Sequence, residues 1–177
     1  MRAAVLLMTV GLIAACAPQG ARRVLDGRRV QLDVPFFPDG TDQCGPSALA
    51  SVLTFWGRAE TPASLKPELY RPKLKGALTV DLLLAAQNRG LSADTPEGGL
   101  ARVKKELDEG RPVIAFVNLG FRFYPIGHYI VVTGYDDGRE IIVAHSGTRR
   151  DSLISYGKFD TVWEKTNRWF LLIQPRA

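Results

Sequence analysis

The sequence holds only two cysteines and two histidines in 177 residues, and each scarcity narrows the chemistry. Two cysteines cannot form a disulfide scaffold for a chain of this length, and no zinc-site spacing is present. No metal or other cofactor is therefore expected. The apolar run Ala3–Ile13 falls far short of the ~20 residues that a helix needs to cross a bilayer, so a permanent span is not expected. The formal charge of +5 suits acidic surfaces such as phospholipid heads but is too diffuse to indicate nucleic acid. What is present is 46% hydrophobic and 23% charged residues, the composition of a packed core rather than a disordered chain. The length leaves room for one domain.

The first residues read as an export signal, with Arg2 as the positive start and the apolar run behind it. The run ends in Leu12-Ile13-Ala14-Ala15-Cys16, which resembles a bacterial lipoprotein box. That resemblance implies cleavage before Cys16 and acylation of its sulfur and amino group. More than one acyl chain makes physical sense, since a single chain anchors a protein only reversibly. The alternative is an ordinary secretory signal whose Ala-x-Ala-like end happens to precede a cysteine. Ala17, rather than Asp, at the second mature position resembles outer-membrane sorting in enteric-type bacteria. Ala17–Arg29 carries four arginines and no apolar period, the pattern of a tether reaching at most about 40 Å. Its arginines suit anionic lipid heads or simply water. The chain thus divides into a signal (1–15), a lipidated tether (16–29) and one folded domain (30–177). The expected location is the bacterial cell envelope, lipid-anchored in the outer membrane and facing the periplasm. With Cys16 acylated, Cys44 becomes a lone thiol in an oxidising compartment.

The folded part begins with an extended lead-in at Val30–Pro35 and a turn at Pro38-Asp39-Gly40. Ala48, Leu49, Val52, Phe55 and Trp56 at helical spacing predict a helix over Gly45–Trp56, stopped by Gly57. Thr61-Pro62 opens a second helical piece to about Tyr70. A third has Thr79 as its N-cap and Gly90 as its stop, and a fourth covers Leu100–Glu109. The period then changes. Val113–Leu119 is the apolar run of a central strand, and His128–Tyr135 and Glu140–Ser146 flank a hairpin turn at Asp136-Asp137-Gly138-Arg139. Phe159–Lys165 suggests one or two helical turns, and Trp169–Gln174 a closing strand. Helices followed by antiparallel strands predict an α+β domain, its N-terminal helices packed on an antiparallel sheet.

Cys44 falls at the mouth of the first predicted helix, where unsatisfied N–H groups and the helix dipole favour a thiolate. Gly45 would let a substrate approach the backbone, and Pro46 suits the first helical turn. A buried inert thiol is the plainer alternative. A nucleophilic thiol needs a base, and the chain has only His128 and His145 to supply one. A two-residue turn at Asp137-Gly138 would set His128 opposite Gly147 and His145 opposite Ile130. Both histidines would then share the face of Ile130, Val132, Ile141 and Val143, with Ser146 on the other side. A single bulge would reverse this and bring in Ser146 instead.

Cys44-Gly45-Pro46-Ser47-Ala48-Leu49-Ala50, with Gly127-His128-Tyr129-Ile130-Val131-Val132-Thr133-Gly134-Tyr135-Asp136 far downstream, resembles the papain-like peptidases that process bacteriocin leaders. These are the double-glycine peptidase domains of ABC exporters and their stand-alone relatives, family thirty-nine of the cysteine peptidases. The resemblance covers about Val34–Ile173 and implies a papain-like fold, Cys44 as nucleophile and His128 as general base. Two positions depart from the family. Asp39 and Pro38 stand where a Gln usually donates to the oxyanion, and a carboxylate only accepts. Gln43 is a badly placed substitute. His145 falls near the family's Asp or Asn, where it would hold His128 in one tautomer.

The resulting expectation is an envelope lipoprotein that cleaves extended peptides or leader sequences through an acyl-enzyme at Cys44. Any link to bacteriocin maturation would run through envelope secretion or assembly partners. Two alternatives remain: a cell-wall endopeptidase, and a degenerate peptidase acting as a non-catalytic binding or assembly module.

Overall fold

The structure, a computed structural model, describes residues 22–24, 29–40, 42–121 and 123–176. The expected signal, Cys16 and most of the tether lie outside these residues. Among the described residues, no helix is long and apolar enough to cross a membrane.

The scaffold is an eight-stranded antiparallel sheet with helices packed against it, the expected α+β class. Two short strands open it: β1 (Arg22–Val24), within the stretch read as tether, pairs with β2 (Arg29–Leu32). Three helices follow, α1 (Cys44–Phe55), α2 (Pro62–Leu69) and α3 (Thr79–Asn88), all close to their predicted bounds. Thr61 caps α2 as expected, in a reciprocal capping box with Ser64. The cap of α3 differs: Thr79 is its first helical residue, and Leu78 precedes it without a side-chain cap. Gly90 ends that helix at φ +78°, a conformation that a side chain would strain. The chain continues through β3 (Leu91–Asp94), α4 (Leu100–Asp108), β4 (Val113–Asn118), β5 (Gly127–Asp136), β6 (Ile141–Ser146) and β7 (Arg149–Ser155). It closes with α5 (Tyr156–Trp163), a single 3₁₀ turn and β8 (Phe170–Pro175).

Along the main path the strand order is β1-β2-β5-β4-β8-β3, while β6 joins β5 and carries β7. β4 is central, as its apolar run predicts, and β8 inserts between it and β3. Helix α1 is buried at nearly every position from Gly45 to Phe55, which makes it the core helix rather than an amphipathic surface one. Gly45 is small for packing: a Cβ there would lie 2.8 Å from the Ala77 Cβ. Its role is thus the close fit of α1 onto the Ala77 loop, not the approach of substrate.

The hairpin of β5 and β6 forms where expected but with a different turn. Asp136 pairs with Ile141, Arg139 donates its N–H to Asp136 Oδ1, and the left-handed residue is Glu140 at φ +52°. That wider turn shifts the register by two residues, which by itself leaves every side chain on its predicted face. A bulge at Thr133, between the pairs Val132–Ala144 and Gly134–Val143, then reverses the faces beyond it. His145 therefore lies opposite Val131, and the expected sharing of one face by His128 and His145 is not met. The Thr133 hydroxyl donates to Val143 O, satisfying a polar group with no exposure.

Gly134 follows the bulge and lets β2 close onto β5. A Cβ there would sit 2.3 Å from Val30 O and 2.9 Å from Gln31 Cα, backbone atoms that cannot step aside. Gly134→Ala is expected to destabilise the domain by about 1–3 kcal/mol in urea unfolding. Gly157→Ala, at an exposed helical site with no neighbour within 4 Å, should leave stability equal or raised by up to about 1 kcal/mol.

Candidate active site

Cys44 is the first residue of α1 and is only partly buried, at the end of an otherwise buried helix. Pro46, third in the helix, lacks an N–H that would have no intrahelical partner there. The loop before Cys44 is pinned from two sides: Asp39 N–H donates to Gly147 O, and the Ser47 hydroxyl donates to Pro38 O. These bonds set the Asp39 carboxylate beside the thiol.

His128 is the second residue of β5, paired with Val117 of β4. The loop that delivers it is held by Asn118, whose Oδ1 accepts N–H groups from Gly120 and Ile126. One donor atom from each of Asp39, Cys44 and His128 lies within 4.8 Å of the others. The His128 ring is oriented by its two nitrogens. Nε2 is 3.1 Å from Ser146 Oγ, and Nδ1 faces Asp39 Oδ2 at 3.9 Å. With Nε2–H donating to Ser146, Nδ1 keeps its lone pair, on the side that faces Asp39.

Ser146, not His145, thus holds the imidazole, the outcome that a strand bulge makes possible. His145 is 5% exposed, and both its nitrogens are taken by backbone: Nε2–H donates to Val34 O, and Nδ1 accepts from Asp151 N–H. Its ring also meets Phe36 edge-on. This neutral imidazole ties β6 to the segment ahead of α1. The signal for Ser146 lay in its place next to His145, but only the bulge turns it toward His128.

The electrostatics reverse the expectation of an activated thiolate. Burial pushes the Cys44 thiol above its ordinary value, and the Asp39 charge adds to this. Backbone N–H groups of Tyr129, Gly45 and Cys44 oppose the rise without overcoming it. Burial also pushes His128 below its ordinary value, with Asp39 pulling the other way. The resting pair is a neutral thiol beside a neutral imidazole, suited to proton transfer during attack rather than to a standing ion pair. The Gln43 amide packs by Gly40, 3.2 Å from where a Cβ would be, at the wall of the cleft that holds Cys44. A cleft of about 260 Å³, lined in part by Gly40, Asp42, Lys75 and Gly127, opens onto Cys44 and His128.

A partly buried cysteine at a core-helix N-terminus, close to a histidine at the start of a sheet strand, is the arrangement of a cysteine-peptidase-like domain. The chain belongs to the Peptidase_C39-like family, whose model matches residues 28–169. Solved structures agree on the fold. A double-glycine-motif protease from an AMS/PCAT transporter, in complex with its leader peptide, superposes with a TM-score of 0.67 at 21% identity, over 88% of this chain and 99% of that one. The peptidase domain of Streptococcus ComA, an ABC transporter involved in quorum sensing, gives 0.64 at 21% identity over 78% and 96%. A C39-like peptidase structure from Bacillus anthracis gives 0.66 at 18% identity over 84% and 98%. A comparison with curated proteins finds no match.

Alkylation of Cys44 by iodoacetamide is expected to rise with a midpoint above the ordinary value of about 8.5. Asp39→Asn removes one of the two causes and should lower that midpoint. An unchanged midpoint would show that the carboxylate does not act on the sulfur. His145→Gln is expected to lower the unfolding temperature and leave the alkylation midpoint in place.

Proposed function

We propose that this chain is an envelope lipoprotein, anchored through Cys16, whose domain cleaves extended peptides by acyl-enzyme chemistry at Cys44. The observation that carries the catalytic part is the cluster itself: Cys44 and His128 offer a sulfur and a ring nitrogen within 4.8 Å of each other, and Nε2 lies on Ser146 Oγ. His128 takes the thiol proton as sulfur attacks the peptide carbonyl, then gives it to the leaving amine. Water next attacks the thioester, with His128 taking and returning a proton as the acid is released. Ser146 is a positioning residue that keeps the ring in the Nε2–H tautomer. The Cys44 backbone N–H, at the open end of α1, is the donor available to the oxyanion.

An extended peptide substrate suits the surroundings. Beyond Ser146 a cleft of about 410 Å³ is walled by Val117, Leu119, Ile130 and Leu153 together with Arg149 and Lys158, and offers mixed apolar and basic walls to a side chain. The transporter protease with its bound leader peptide supports a peptide as the class of ligand. The anchor rests on the Leu12–Cys16 pattern and the outer-membrane location on Ala17; a domain so held would face the periplasm, within reach of secretion or assembly partners. Asp39 favours one second reading, a binding module with little or no turnover. Its carboxylate raises the cost of the thiolate and cannot donate to an oxyanion.

Peptide cleavage by the purified protein should vanish in Cys44→Ala and fall by about 10²–10⁴-fold in His128→Ala. Ser146→Ala should lower kcat more than it raises KM. Asp39→Gln, which supplies an oxyanion donor, should raise kcat by roughly tenfold or more. A wild-type protein that binds a peptide but leaves it intact, and whose Asp39→Gln variant does the same, would establish the binding module. Palmitate labelling of cells should be lost in Cys16→Ala, and labelling that persists there would remove the anchor.

A further inference from the structure

Asp39, Cys44 and His128 offer a carboxylate oxygen, a sulfur and an imidazole nitrogen within 4.8 Å of one another, in a pocket that shields them largely from water. We propose that these three side chains bind one divalent cation of the zinc class, with a fourth position open to the cleft. One oxygen, one sulfur and one nitrogen is a donor set that suits zinc or cobalt, and its sulfur disfavours magnesium and calcium. Bond lengths of about 2.0–2.3 Å would bring the donors to about 3.5 Å apart. That is roughly an ångström closer than the outer limit they occupy, within reach of side-chain rotation at Asp39 and Cys44.

Two further features favour a cation here. Metal-binding histidines commonly donate their other N–H to a fixed acceptor, and His128 Nε2 is already on Ser146. The Asp39 backbone is likewise fixed, by its N–H on Gly147 O. Charge supplies the second feature. Once the cation displaces the thiol proton, the thiolate and the Asp39 carboxylate are two anions in one partly buried site, and a dication neutralises both. As the sulfur–metal bond forms, the thiol proton leaves to solvent and no electron changes hands. The cleft over the site, with Gly127 and Gly40 in its wall, leaves room for water as the fourth ligand.

Binding of the metal stands on its own; its consequence rests on the peptidase reading. A cation held by Cys44 and His128 occupies the lone pairs of nucleophile and base together, so the loaded protein is switched off and removal of the cation restores it. The Asp that weakens this site as an oxyanion hole is the ligand that completes it as a metal site.

Titration of the full chain with Co²⁺ tests this directly. The expected result is one equivalent bound, with a thiolate-to-cobalt charge-transfer band and the visible bands of four-coordinate cobalt, all displaced by Zn²⁺. Cys44→Ser should lose the charge-transfer band, and Asp39→Asn should weaken binding by about tenfold or more. Zn²⁺ should also protect Cys44 from iodoacetamide in the wild type and do so far less in Asp39→Asn. Absence of the band in the wild type overturns the proposal without need of any variant, as does Asp39→Asn titrating like the wild type. The two readings separate cleanly. A cobalt band in a protein that cleaves no peptide keeps the site and removes the switch, whereas cleavage without a band removes the site and leaves the peptidase.

Discussion

Everything chemical in this domain depends on one packing contact, the start of α1 against the start of β5. Helix α1 is buried along nearly its whole length, so it cannot slide or rotate without opening the core. Gly45 permits that close fit at one end, against Ala77, while the Tyr129 hydroxyl donates to Ala77 O from the strand side. The Ala77 loop is thus clamped between the residues that follow the thiol and the imidazole. A shift of an ångström there would move Cys44 and His128 apart, which is the distance scale on which proton transfer fails.

Around that contact the site balances burial against charge. The helix N-terminus and nearby N–H groups favour a thiolate, yet desolvation outweighs them and Asp39 adds its charge to the same side. In the imidazole the same two influences compete, with burial again ahead. The outcome is a site at rest, with its proton on sulfur. Such a pair gives up that proton only when a partner, a substrate carbonyl or a cation, takes up the sulfur's electron pair. One residue, Asp39, therefore couples the question of how fast the site turns over to the question of what occupies it.

The parts of this fold that were legible in the sequence share a cause. Ala48, Leu49, Val52 and Phe55 mark α1 because an entire helix is buried, and Val113–Asn118 marks β4 because a central strand is apolar on both faces. The strands that were not legible are marginal ones. β7 is mostly Arg, Asp and Ser, with Leu153 and Ile154 adjacent near its end, and is paired along one side only, while β3 is four residues at the far end of the sheet. β7 buries no residue fully, and the alternation of β3, with Leu91 and Ala93 inward, is too short to stand out. The hairpin was legible in its existence and not in its geometry, since Asp-Gly permits more than one turn.

Sequence by itself determined the chemistry available: one thiol at a helix start, two imidazoles, and a carboxylate where the family carries an amide. Those are local facts, written in residue identity and spacing. Tertiary structure decided which imidazole meets the thiol and which group steadies it. The bulge at Thr133 turns Ser146 toward His128 and sends His145 to the backbone of Val34 and Asp151. The proton's resting place was likewise decided by the fold, because burial is a property of everything packed around a group and not of the group's neighbours along the chain.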